Sequence, residues 1–222
     1  MKTFWPITPK PGNVGDILTP WMMRQDGVEP EFVGSNFCGK ILGIGSIMRL
    51  AQKDDQVWTT GIMRKSDRPD PMANFRAVRG PLTADACRLT GKVPLGDGAL
   101  CLPRYYQPES VLATVKTLFV FHYVDWPHRN DWPKEWKDEG NRVMTTLTTD
   151  VKGFVDQITS AEHVVSSSLH GYLIALAYGI PARWIKLGDR LSGDGTKFVD
   201  GFQGWEQANI DDLMAARPWI NQ

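Results

Sequence analysis

The chain has 222 residues, and 25 Lys+Arg against 25 Asp+Glu give it a formal net charge of zero. That length can bury a sizeable core in one large or two small domains, and the balanced charge lacks the positive footprint of a nucleic-acid-binding protein. At 42% hydrophobic and 23% charged residues, wholesale disorder is excluded.

Short apolar runs alternate with amphipathic stretches along the chain, with Gly or Pro at the junctions. Ile17–Met23 is an amphipathic stretch that follows Gly12-Asn13-Val14-Gly15-Asp16. Lys40–Gly45 reads as a buried strand running into a Gly-rich turn, Ile47–Gln52 as a short helix, and Gln56–Thr60 and Phe75–Val78 as strands. Pro81–Leu89 is predicted helical, with Pro at the first helical position and Gly91 beyond the end. In the second half, strands are predicted at Leu118–His122, Val143–Leu147, His163–Ser167 and Ala182–Ile185. Helices are predicted at Val151–Ser160, Leu169–Tyr178 and Ile210–Ala216.

Such alternation argues for an α/β fold with parallel sheets covered by helices on both faces. Pro103–Ser110 reads as the linker, which divides the chain into two Rossmann-like halves, 1–110 and 111–222. If the halves face each other, loops at the C-terminal strand ends of both sheets line one cleft, where open α/β sheets hold ligands.

The longest mostly apolar run, Leu169–Ile180, is broken by His170 and Gly171 and falls short of the roughly 20 residues of a membrane span. Met1–Pro6 has no apolar signal core, so a cytoplasmic location is expected. Cys38, Cys87 and Cys101 form no CxxC pair, which fits reduced thiols better than a disulfide framework or a zinc site. No metal ligand set is predicted.

Candidate chemistry sits just after strands. Asp16 can cap the helix that follows it, while Asn13 and the neighbouring backbone can touch a ligand's polar groups. Gly43-Ile44-Gly45-Ser46 lets a ligand approach the backbone, although it is no full dinucleotide fingerprint. Arg79, between a strand and a helix start, can hold a phosphate or carboxylate, or else pair with a neighbouring acid. Asp97, in Gly96-Asp97-Gly98, can orient a hydroxyl or simply close a turn. The most specific segment is Val164-Val165-Ser166-Ser167-Ser168-Leu169-His170-Gly171. It puts a histidine in the first turn of a helix, in the positive field of its N-terminus, beside Ser167 and Ser168. Lys197 is placed on a Gly-rich loop, as a point charge for phosphate or as an ordinary exposed lysine. His122 follows a strand and can reach the cleft. Trp126, Trp132 and Trp136 read as a flap whose rings stack on sugars or pack together.

The ordered set GNVGD, ILGIGS, VWTTGI, AVRGPLT, PLGDGAL, SSSLHGYLIALAYGIP and TKFVD resembles the polysaccharide pyruvyl transferase family over nearly the whole chain. That resemblance implies two facing Rossmann-like halves in a compact arrangement like a GT-B glycosyltransferase. It implies transfer of a pyruvyl group from phosphoenolpyruvate to sugar hydroxyls as a ketal, in exopolysaccharide, capsule or cell-wall polymer biosynthesis. No cofactor or metal is required; phosphoenolpyruvate is the donor substrate. Its anions would be met by Arg79, Lys197 and the helix N-termini beside Ser46 and His170. His170 would act as general acid or base, with Asp16 or Asp97 orienting the acceptor or serving as base. Asn13, Gly45, Ser46, Ser167, Ser168, Leu169 and Gly171 would line the substrate site.

Many members carry Arg where this chain has Ser168, so one anion contact must come from elsewhere, with Lys197, Arg183, Lys186 and Arg64 as candidates. The acceptor is a sugar, free, polymeric or lipid-linked; a lipid-linked one would bring the chain to the inner membrane face without a transmembrane segment. Monomer and homo-oligomer are both compatible. Two alternatives stay open: a GT-B glycosyltransferase using a nucleotide sugar, and a non-catalytic sugar-binding relative.

Overall fold

Parallel strand pairing organises the protein. The structure is a computed structural model and describes residues 1–109 and 113–220. Strands β1 (Lys2–Phe4), β2 (Glu31–Phe32), β3 (Ile41–Leu42), β4 (Gln56–Trp58) and β5 (Asn74–Ala77) form a sheet in the order β2-β1-β3-β4-β5, every pair parallel. Strands β6 (Val115–Phe121), β7 (Asn141–Thr145), β8 (Ala161–Ser166) and β9 (Ala182–Trp184) form a second parallel sheet in the order β7-β6-β8-β9. Parallel sheets need crossovers and cover on both faces. Helices α1 (Val14–Gln25), α2 (Pro81–Ala86), α3 (Val151–Thr159), α4 (Leu169–Ala177), α5 (Thr196–Gln207) and α6 (Ile210–Ala215) supply them. The α/β class expected from alternation is therefore present, as two parallel-strand sheets.

The chain groups into two compact units. The first holds Met1–Pro6, Asp16–Cys101 and the segment from Gly193 onward; the second holds Ile7–Gly15 and Leu102–Ser192. The predicted boundary near residue 110 lies on residues 110–112, outside the described residues. The C-terminal segment groups with the first unit because Trp58, fully buried, donates its indole N–H to Leu213 O at 2.9 Å and meets Trp219 edge-on at 4.9 Å. Ile7–Gly15 groups with the second because Val14 N donates to Thr146 O at 2.9 Å and Asn13 bridges Leu147.

Several elements differ from expectation. Ile47–Gln52 is a single 3-10 turn, Met48–Leu50. Much of the expected linker is tied down: Tyr106 donates to Asp156 Oδ1 at 2.7 Å, and Tyr178 donates to Tyr106 O at 2.7 Å. The stretch around Lys197 is no loop but the first turn of α5. That helix hides in the sequence because it carries Gly201 and Gly204, poor helix formers, of which Gly204 is required by packing. A Cβ on Gly204 would fall 1.9 Å from Arg79 O. The tryptophan flap is not one either. Trp132 and Trp136 pack on Phe119 and Phe121, with ring centroids from 3.9 to 5.2 Å apart, and Trp126 closes the group. Their rings are spent on a core rather than on a sugar platform.

Candidate functional site

Each sheet reverses its strand order once: the first between β1 and β3, the second between β6 and β8. Open parallel sheets hold ligands beyond the C-terminal strand ends at such a switch point. In the first sheet, Gly43–Ser46 follows β3; in the second, His122–Asp125 follows β6 and Ser167-Ser168 follows β8.

In the second unit, β8 ends in three serines with separate structural tasks. Ser166 donates to Val120 O at 2.7 Å and fixes the strand end. Ser167 donates to Asp125 Oδ2 at 2.8 Å and accepts from His122 N at 3.0 Å. Ser168 has extended backbone and caps α4, its hydroxyl accepting from Gly171 N. Leu169 is 4% exposed, and a Cβ on Gly171 would fall 2.5 Å from Ser166 Oγ, so both are packing positions rather than open substrate contacts. His170, 8% exposed, lies in the first turn of α4. Its ring rests on Gly15: a Cβ there would fall 1.8 Å from Nδ1. Asn13, 6% exposed, belongs to the same segment. The structure thus brings the GNVGD and SSSLHG segments together.

In the first unit, Gly45 has φ 132°, a conformation that glycine permits. A Cβ on Gly45 would find Asp16 Oδ1 at 3.6 Å, so this partly exposed carboxylate lies beside the Gly45-Ser46 turn. Thr60 Oγ1 and Gly61 N both donate to Gly45 O, at 2.8 and 2.9 Å, holding the turn in place.

Arg79 is not an open anion contact. It is fully buried, and its guanidinium donates to Asp200 Oδ2 at 3.0 Å, to Ser46 Oγ at 2.7 Å and to Ile62 O. Asp200 also accepts from Thr83 N and Oγ1, at 2.9 and 2.6 Å, so the pair joins α5 to the start of α2. The alternative of pairing with an acid is the one realised, and that acid is 121 residues away. Asp97 is fully buried, with Oδ1 accepting from Ala99 N at 2.9 Å; it closes the turn ahead of the 3-10 stretch Gly98–Arg104. Lys197 is 7% exposed, its ammonium 5.0 Å from the Phe198 ring centroid, and so is not an exposed loop lysine.

Sequence reading missed Asp125 and Arg190. Asp125, 2% exposed, takes Ser167 Oγ on one oxygen and Arg190 Nε at 3.3 Å on the other. His122, which it did single out, accepts from Val124 N through Nδ1 at 3.3 Å. The only linear signal for Asp125 is its place after a strand; nothing local links it to an arginine 65 residues on. Two first-unit pockets, of about 590 Å³ beside Lys92 and Asp212 and about 260 Å³ beside Lys65 and Arg68, are lined by none of the candidate residues. No helix among the described residues is long and apolar enough to cross a membrane.

No family model matches the sequence, and no solved structure matches it. The chain is 29% identical over 164 residues to an uncharacterized protein, L143, of Acanthamoeba polyphaga mimivirus. The alignment covers 71% of this chain and 57% of that protein, so the chain spans little more than half of its relative's length.

Proposed function

We propose that this chain transfers a pyruvyl group from phosphoenolpyruvate to a pair of sugar hydroxyls. The observation that carries the reading is the seating of His170 on Gly15 beyond the ends of a parallel sheet. Two of the segments on which the family resemblance rests form one packed unit there. Gly15, in the first turn of α1, leaves room for that ring, and the close packing holds the imidazole in one orientation.

In this reading the first hydroxyl attacks C2 of the enol phosphate while a proton is delivered to the methylene carbon, making it a methyl group. The second hydroxyl then attacks C2, the C–O bond to phosphate breaks, and the ketal closes. One hydroxyl proton balances the new methyl C–H bond, and the other leaves with phosphate. His170 carries the proton to carbon or takes it from the hydroxyl, a role worth about 10²–10⁴ in rate. Arg79 and Asp97, both buried and bonded within the protein, shape the turns around Ser46 and Gly98 without touching substrate. The acceptor belongs to an exopolysaccharide, capsule or cell-wall polymer, met in the cytoplasm as a free or lipid-linked sugar.

The test is phosphate release from phosphoenolpyruvate over a panel of sugars with 4,6- or 3,4-diols, wild type beside His170→Ala. Acceptor-dependent release that falls at least 10²-fold in the variant supports the reading. Equal release from both proteins contradicts it.

A further inference from the structure

We infer that Arg190 is the residue that binds the ligand's anionic group in the second unit, and that Asp125 is the positioning residue that aims it. The inference rests on the proposed function only for the identity of the ligand; the site itself is drawn from the geometry. Asp125 lies where the second sheet reverses its order, and its buried carboxylate serves two loops. Oδ2 takes the hydroxyl of Ser167, one residue before the cap of α4, and Oδ1 takes Arg190 Nε from the loop beyond β9.

The guanidinium is therefore held along one edge. Nε faces Asp125 and Nη2 donates to Leu187 O at 2.9 Å, while no acceptor among the described residues takes Nη1. The Arg190 side chain stays 38% exposed. Gly188 stands beside that free nitrogen, and a Cβ there would fall 3.6 Å from it.

A planar fork with its inner edge pinned and its outer edge facing solvent is prepared for a phosphate or carboxylate oxygen pair. Other cations of this unit are occupied differently. Lys186 pairs with Asp189 at the surface, and Arg129 lies over the Trp126 ring. The N-terminus of the nine-residue α4 adds to the same preference for an anion. Since Asp125 cancels the charge of Arg190, selection rests on direction more than on net field. The ligand class is a phosphate ester or carboxylate, which phosphoenolpyruvate satisfies twice.

The test titrates inorganic phosphate and phosphoenolpyruvate separately into the full chain by calorimetry. The proteins are wild type, Arg190→Gln, Arg190→Lys, Asp125→Asn, Asp125→Asn/Arg190→Gln and, as a surface control, Arg142→Gln. Circular dichroism verifies the fold of each. Arg190→Gln should weaken both ligands about tenfold or more, Arg190→Lys less, and Arg142→Gln not at all. Asp125→Asn should weaken binding while Arg190 is present and add no further loss in the double variant, since it acts through that arginine; a merely structural effect would add.

Wild-type phosphate affinity in folded Arg190→Gln overturns the inference, and so does a wild type that binds neither ligand. If Arg190→Gln loses phosphate but wild type binds phosphoenolpyruvate no better than phosphate and releases none, Arg190 stands and pyruvyl transfer falls. If wild type releases phosphate from phosphoenolpyruvate in an acceptor-dependent way while Arg190→Gln keeps both ligands, transfer stands and Arg190 falls.

Discussion

Gly15 has room for a hydrogen and no more, since the His170 ring occupies the space a side chain would need. Gly15→Ala should therefore cost about 1–3 kcal/mol of overpacking, read by urea denaturation. Adding His170→Ala should restore most of that loss by vacating the space, and additive losses would show that the two residues do not compete for it. Arg79 makes a second residue-scale claim. Arg79→Met strands a fully buried Asp200 carboxylate and should cost about 3–5 kcal/mol. A Thr59 substitution should go the other way. Thr59 sits at φ 62° with its buried hydroxyl unbonded, so Thr59→Val removes an unsatisfied group of nearly the same shape. The stability gain should be about 1 kcal/mol, and a lower melting temperature would contradict it.

At the scale of elements, much of the architecture was legible and the close approaches were not. Strands β5 to β8 announced themselves through apolar, β-branched or aromatic runs, and α2 through the Pro at its start; α3, α4 and α6 were expected in place, and the structure adds their caps, Asp150, Ser168 and Asn209. Strands β1 and β2, of three and two residues, are too short to show a pattern. Helix α5 looked like a loop because Gly204 serves close packing against the Arg79-Gly80 backbone rather than a turn. Its start is set by Asp194, whose carboxyl is held down at about 2 by hydrogen bonds from Thr196 and then from Lys65 N. A lowered carboxylate stabilises the fold above its unfolded value of 3.8, and that contribution is lost as pH falls through about 2. Asp194→Asn should therefore lose that contribution at neutral pH and change little below about pH 2, flattening the acid limb, with a small amplitude because the group is exposed. In the second unit, Trp132→Ala should cost about 3–5 kcal/mol, read by urea denaturation, because this ring is core.

At the scale of the molecule, the candidate site was half legible. Sequence marked His170, Asp16, Ser46 and the glycine turns, because residue type and position after a strand suffice for those. It could not show that Arg79 and Asp97 face inward, nor that Asp125 gathers Ser167 and Arg190, because each of those facts depends on a partner distant in the chain. The cysteines test burial throughout the first unit. Cys38 is exposed, Cys101 is buried, and Cys87 is pushed up to about 12 by burial and then by Asp200. One thiol of the three should react with a thiol reagent at neutral pH in the native protein, and all three after denaturation.

The central claim is that the second-sheet site around His170 takes phosphoenolpyruvate. The most direct measurement is calorimetric titration of phosphoenolpyruvate into wild type and His170→Asn, with uridine diphosphate in parallel. The account predicts saturable phosphoenolpyruvate binding that weakens at least tenfold in the variant, and no nucleotide binding. Nucleotide binding without phosphoenolpyruvate binding, or equal phosphoenolpyruvate affinity in the two proteins, would contradict it.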